Sequence, residues 1–136
     1  MSTVVYNGKP APNGCASAPV LAVVADLFFQ AKIQETARLL GVKVGFIKSA
    51  GELLETDASP SLVILDLNCQ QVPLESIHRL RRDPRFRKTS LIGFLSHLQA
   101  ELKVKAQEAG CDMVMPRSAF SQNLPALLKR HGLPAE

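Results

Sequence analysis
The sequence has no C-x-x-C pair and no zinc-type spacing between its three cysteines (Cys15, Cys69, Cys111) and its three histidines. The thiols read as reduced, and a chain of this length needs no disulfide or metal to fold. No apolar run approaches the roughly 18 residues of a membrane span. No G-x-G-x-x-G or G-x-x-x-x-G-K-[ST] follows any apolar run, so a nucleotide or flavin cradle is not expected. The first residues lack a basic stretch leading into an apolar core; no secretory signal is expected, and a cytoplasmic location is. Aromatic residues are only 5% of the chain, and Phe28 and Phe29 read as core, not as a binding platform. The formal net charge of +4 has a local origin in Arg79, Arg81, Arg82, Arg85, Arg87 and Lys88. Without those six and the neighbouring Asp83, ten basic residues face eleven acidic ones, so nucleic-acid binding is not expected.

What is present is enough for one domain. A chain of 136 residues buries about two-thirds of its unfolded surface, and 46% hydrophobic against 21% charged residues is a globular balance. Residues 1–18, rich in Gly, Pro, Ser, Asn and Ala, read as a loose N-terminal arm, and 19–136 as the folded domain. Val20 to Ala25 is an uninterrupted apolar run with Asp26 directly after it. Phe29, Ile33, Ala37 and Leu40 form one face of a helix ending at Gly41. Val42 to Ile47 alternates as a strand near the edge of a sheet, and a short helix is expected over about Ala50 to Glu55. The segment Ser61 to Asn68 opens a strand at Ser61 whose apolar run leads without polar interruption into one carboxylate, Asp66, which suits burial on both faces. Leu74, Ile77 and Leu80 mark a helix stopped by Asp83-Pro84. Leu91 to Leu95 is a fourth strand, and Leu98, Leu102, Ala106 and Ala109 mark a helix closed by Gly110. Cys111 to Met115 is a fifth strand. Phe120, Leu124, Leu127 and Leu128 mark a last helix to about His131.

Five strands alternating with five helices imply right-handed crossovers and a doubly wound parallel sheet between two helical layers, with strand order 2-1-3-4-5. In such sheets ligands bind outside the carboxyl ends of the strands. That edge gathers Asp26, Asp66, Ser96, His97 and either Arg117 or Ser118. Asp66 is either presented to the crevice there or simply ends its strand and caps the next turn. A carboxylate, a hydroxyl and a cation at one edge have the chemistry to handle a phosphoryl group. His97 beside Ser96 has no ordered third partner and reads as a polar rim. Cys69 reads as a loop thiol.

The stretch from about Pro19 to His131 resembles the receiver domain of bacterial response regulators, the CheY-like family. Val63-Ile64-Leu65-Asp66-Leu67-Asn68 is similar to the family's third strand with its phosphoacceptor aspartate. Ala109-Gly110-Cys111-Asp112 is similar to the signature before its fifth strand. The resemblance implies Asp66 as phosphoacceptor, Ser96 as the switch hydroxyl, and Asn68 where the family offers a backbone carbonyl to magnesium. The sequence departs from the family at two points. The acidic pair after the first strand is replaced by Val24 and Ala25, with Asp26 one position late as the remaining acid of the pocket. The family lysine is replaced by Arg117 when counted from Gly110, or by Met115 when Pro116 is matched to the family's following proline. Fewer carboxylates weaken a magnesium site, and an arginine fork favours a bidentate clamp on Asp66 over a point charge on a phosphoryl group.

These departures lead to the expectation of a pseudo-receiver. It would be a non-enzymatic, single-domain signalling protein acting by protein contact, with an impaired phosphoacceptor site and no cofactor or resident metal. Asp66, Asn68 and Asp26 would be the ligands if a metal bound at all. The alternative is a stand-alone response regulator phosphorylated on Asp66 by a histidine kinase with magnesium. The expected partners are proteins, a histidine kinase or an output protein, and a second copy through residues 98–131.

Overall fold
Alternation at period two divides the strand side chains into two sets, and each set meets its own layer of helices. The computed structural model describes residues 5–6, 9–10, 20–55, 60–68, 72–96 and 99–132, with side chains described at all of these except 5–6, 9–10 and 132. In chain order the elements are β1 (Val5–Tyr6), β2 (Lys9–Pro10), β3 (Val20–Val23), α1 (Leu27–Leu40), β4 (Val44–Phe46), α2 (Ala50–Glu55) and β5 (Leu62–Asp66). There follow α3 (Leu74–Arg82), a 3-10 turn (Pro84–Phe86), β6 (Ser90–Leu95), α4 (Ala100–Ala109), β7 (Met113–Pro116) and α5 (Arg117–Gly132). Leu21, Val23, Val63, Leu65, Leu91 and Val114 face α2, α3 and α4 through Leu53, Ile77, Leu80 and Ala106. Val20, Ala22, Leu62, Ile64, Ile92, Phe94 and Met115 face α1 and α5 through Phe29, Ile33, Phe120, Leu124 and Leu128.

The sheet order is β2-β1-β4-β3-β5-β6-β7, and the five strands from β4 to β7 are parallel. That parallel core has the expected 2-1-3-4-5 order. β5 lies at its centre, with Ile64 between Ala22 of β3 and Ile92 of β6. The sheet is larger than the five strands read from the sequence. Val5–Tyr6 pairs antiparallel with Phe46 and Gly45 of β4, and Lys9–Pro10 pairs with Val5–Tyr6. At these four positions the arm expected to be loose is paired. A two-residue pairing rests on backbone hydrogen bonds and leaves no apolar period to read. The rest of that arm lies outside the described residues. β4 is accordingly the last parallel strand, with β1 along its outer side.

Both glycine stops use the same pair of backbone hydrogen bonds. Gly41 takes φ +74° and donates to Arg38, while Val42 N–H donates to Ala37 O at 2.9 Å. Gly110 donates to Gln107 at 3.2 Å, while Cys111 N–H donates to Ala106 O at 3.0 Å. In each case the last free carbonyls of the helix are satisfied and an apolar residue is turned inward. β7 begins at Met113, two residues later than the expected start at Cys111. Its final Pro116 abuts Arg117, so α5 starts three residues ahead of Phe120. Pro125 lies inside α5 and removes the hydrogen bond that Ser121 O would accept. Cys111 is a free, buried thiol whose pKa is pushed up to about 12, first by burial and then by the charge of Asp112.

The basic corner is only partly a solvated face. Arg81 donates to Gly110 O at 3.1 Å, Phe86 O at 3.4 Å and Thr89 O at 3.2 Å, and pairs with Asp112 at 2.7 Å. The same Asp112 oxygen accepts Leu91 N–H at 2.7 Å. Arg81 therefore ties the end of α3 to the starts of β6 and β7. Arg85 pairs with Asp83 at 2.8 Å and donates to Leu54 O at 2.7 Å. Arg79, Arg82, Arg87 and Lys88 are exposed.

Gly110 is the tightest point of this corner. It adopts φ +134°, and a Cβ there would lie 2.6 Å from Arg81 Cβ. Gly110→Ala combines backbone strain with that overlap, so it is expected to lower the unfolding free energy by roughly 2–4 kcal/mol. Urea denaturation followed by circular dichroism measures the loss.

Candidate functional site
The parallel order brings the ends of β3, β5 and β6 and the start of α5 to one edge. Asp66 closes β5 on the same face as Leu62 and Ile64, so its carboxylate turns toward the α1 and α5 side. It is only 4% exposed. One oxygen, Oδ1, accepts Asn68 N–H at 3.1 Å. Burial pushes the Asp66 pKa up, because the charged form loses hydration. The Asn68 hydrogen bond and the charge of Arg117 oppose the rise, while the charge of Asp26 adds to it.

Asp26 has two roles at once. Its Oδ1 caps α1, accepting Phe28 N–H at 2.9 Å and Phe29 N–H at 3.2 Å. Its Oδ2 accepts Arg117 Nη1 at 3.2 Å. Here the structure corrects the expected Asp66–Arg117 clamp. Among the described residues no ion pair joins those two, and Arg117 acts on Asp66 only through its charge. The reason lies in the rings below it. The guanidinium sits 5.0 Å from the centroid of Phe29 and 5.6 Å from that of Phe94, and cation–π attraction holds it over these faces beside Asp26. Phe29, Phe94 and Phe120 form one aromatic cluster with centroids 4.7–5.7 Å apart. Arg117 Nε is buried without a hydrogen-bond partner.

Ser96 follows β6 and is exposed, with its backbone N–H donated to Asn68 Oδ1 at 2.6 Å. Asn68 Nδ2 donates to Gln99 Oε1 at 2.7 Å. Gln99 was not legible as a site residue: it is the N-cap of α4 but makes no side-chain capping bond, and glutamine carries no usual cap signal. Ser118 is exposed on the first turn of α5. His97, Leu98 and Cys69 lie outside the described residues.

A hard divalent cation needs several oxygen ligands at short range. Asp66 offers one carboxylate with one oxygen already bonded, and both oxygens of Asp26 are committed to the α1 cap and Arg117. Among the described residues no group of three or more His, Cys, Asp or Glu side chains is arranged to hold a metal.

No family model and no curated protein matches the sequence. Solved structures do match. The BeF3-activated DrrB receiver domain aligns with TM-score 0.68 at 21% identity, covering 82% of this chain and 94% of that one. A response regulator from Hahella chejuensis aligns with TM-score 0.72 at 17% identity, covering 81% and 91%. The chemotaxis response regulator CheY4 of Vibrio cholerae aligns with TM-score 0.69 at 19% identity, covering 82% and 95%. The chain has the receiver fold. At these identities the likeness is one of fold, and the chemistry of the receiver crevice has to be argued from its own residues.

Two measurements test the receiver crevice described here. Asp26→Ala removes cap and ion pair together and is expected to lower stability by about 1–2 kcal/mol. Asp26→Ser keeps a capping oxygen and recovers most of that loss, because a half-exposed ion pair contributes under about 1 kcal/mol. For Asp66 the sign follows from its raised pKa. The folded state binds the proton more tightly than the unfolded chain, so stability falls as pH rises from the ordinary value of 3.8 through the folded pKa. Asp66→Asn removes that loss. The variant should be more stable than wild type at neutral pH, with the advantage shrinking as pH falls toward 3.8 in parallel urea titrations.

Proposed function
We propose that this protein is a receiver-like, non-enzymatic signalling module that acts by binding another protein, with a crevice not driven by magnesium-dependent aspartyl phosphorylation. The observation that carries this reading is the commitment of Asp26. One oxygen caps α1 and the other meets Arg117, so the acid whose charge acts on Asp66 is occupied by protein groups. Phosphoryl transfer depends on positioning and on cations that neutralise developing charge. Arg117 supplies a fixed cation, but one held over Phe29 and Phe94 and bonded to Asp26. Magnesium-loaded chemistry is therefore not part of this reading.

The partner surface in this reading is the face built from α4, β7 and α5. Val104 and Met113 are exposed on it at 52% and 46%, which favours contact with a protein partner or a second copy. Placement in the cytoplasm suits such a module, and no described helix is long and apolar enough to cross a membrane.

A second reading has its own support. Asp66 ends the central strand of a receiver fold with Ser96 across the crevice mouth, and one structural neighbour is a BeF3-activated receiver domain. In that reading a histidine kinase phosphorylates Asp66 with magnesium bound. Incubation with acetyl phosphate and magnesium, followed by intact mass, separates the two. The expected result is no stoichiometric adduct. A full adduct on the wild type that Asp66→Asn abolishes would replace the first reading by the second.

A further inference from the structure
We infer that Asn68 is a latch that ties the turn after Asp66 to the start of α4, so that the crevice and α4 move as one unit only while its side-chain amide is engaged. Asn68 is exposed, and an exposed amide is ordinarily satisfied by water. Here both ends of the amide are used by protein groups 28 and 31 residues away. Its Oδ1 receives Ser96 N–H at 2.6 Å, and its Nδ2 donates to Gln99 Oε1 at 2.7 Å. Its backbone N–H meanwhile donates to Asp66 Oδ1 at 3.1 Å. Carboxylate, turn, β6 exit and α4 entry are thus one hydrogen-bonded chain with Asn68 at its centre.

The far end of the chain explains why α4 depends on it. Gln99 is the N-cap residue of α4 and gives no side-chain bond to the helix. Its backbone carbonyl accepts the first intrahelical N–H, from Lys103 at 2.9 Å. The Gln99 side chain gives nothing to its own helix and is turned to Asn68. The start of α4 is therefore held from across the crevice, and a change at the Asp66 turn reaches it through two bonds. Apolar anchoring along this helix is thin: Ala106 is its one buried residue, with Leu102 and Ala109 partly buried. This inference concerns the fold's mechanics and holds whether or not Asp66 accepts phosphate.

Amide hydrogen exchange by NMR on the full chain tests it, because a latch and a general loosening give different patterns. In Asn68→Ala, exchange at Ser96 and at Lys103 should accelerate at least tenfold, while β5 and α5 stay within twofold of wild type. In Gln99→Ala only Lys103 should accelerate, with Ser96 still protected by Asn68 Oδ1. Asn68→Asp keeps an acceptor for Ser96 and loses the donor to Gln99, so it should behave like Gln99→Ala. Unchanged exchange at both positions in Asn68→Ala would overturn the latch. So would equal acceleration of Ser96 and Lys103 in Gln99→Ala. If Asn68→Ala unfolds globally, the Gln99→Ala pattern decides alone.

Discussion

Leu62, Val63, Ile64 and Leu65 have no exposed surface, and this two-sided burial of β5 is the constraint on which the crevice depends. A strand covered on both faces cannot slip along its neighbours without drawing Ser61 into the buried run or pushing Leu65 out of it, so its register is fixed by where the apolar run begins and ends. Asp66 is the next residue in that register. Its direction is therefore settled by Leu62 and Ile64, not by anything at the crevice. The same covering removes water from around it, and a carboxylate placed there has its ionised form disfavoured from the outset.

What the surroundings return to Asp66 is limited. One backbone N–H and one guanidinium at a distance favour its charge, and a second carboxylate disfavours it. Asp26 and the rings beneath Arg117 together keep the guanidinium at a distance. A helix of 14 residues begins directly after it, and the free N–H groups of the first turn need an acceptor at that position. The second oxygen of Asp26 then meets Arg117, whose flat cation rests on Phe29 and Phe94. A lysine has no planar face to lay on those rings, and its flexible stem leaves a point charge free to approach Asp66. The planar guanidinium of Arg117 is thus held at the capping carboxylate and away from the buried one.

Much of this was legible in the sequence because burial and backbone geometry write strong periods. The uninterrupted run before Asp66, the stripes of α1 and α3, and the stops at Gly41 and Gly110 each follow from one local rule, and the parallel order follows from their alternation. What escaped reading is what depends on side-chain choice between competing partners. Arg117 had two carboxylates within the same edge, and no spacing says which one the aromatic rings favour. Gln99 was invisible because its role arises from Asn68, 31 residues earlier, and from no property of its own helix. The pairing of Val5–Tyr6 with β4 escaped for a different reason, since two backbone-bonded residues carry no pattern at all.

Among the described residues the charges that act on Asp66 are those of Arg117 and Asp26, so the three groups together carry a net negative charge when Asp66 is ionised. The half-exposed Asp26–Arg117 pair is screened by solvent, whereas Asp66 is not. Charge on Asp66 therefore presses on its immediate neighbours, and the first of these is the turn through Asn68. Protonation or ionisation of Asp66 changes how strongly Oδ1 holds Asn68 N–H, and Asn68 is the residue whose side chain spans to Ser96 and Gln99. The fold thereby places a group that is hard to ionise at one end of a hydrogen-bonded chain and a lightly anchored helix at the other. The two ends meet in one residue, since Asn68 holds Asp66 through its backbone N–H and Gln99 through its side-chain Nδ2.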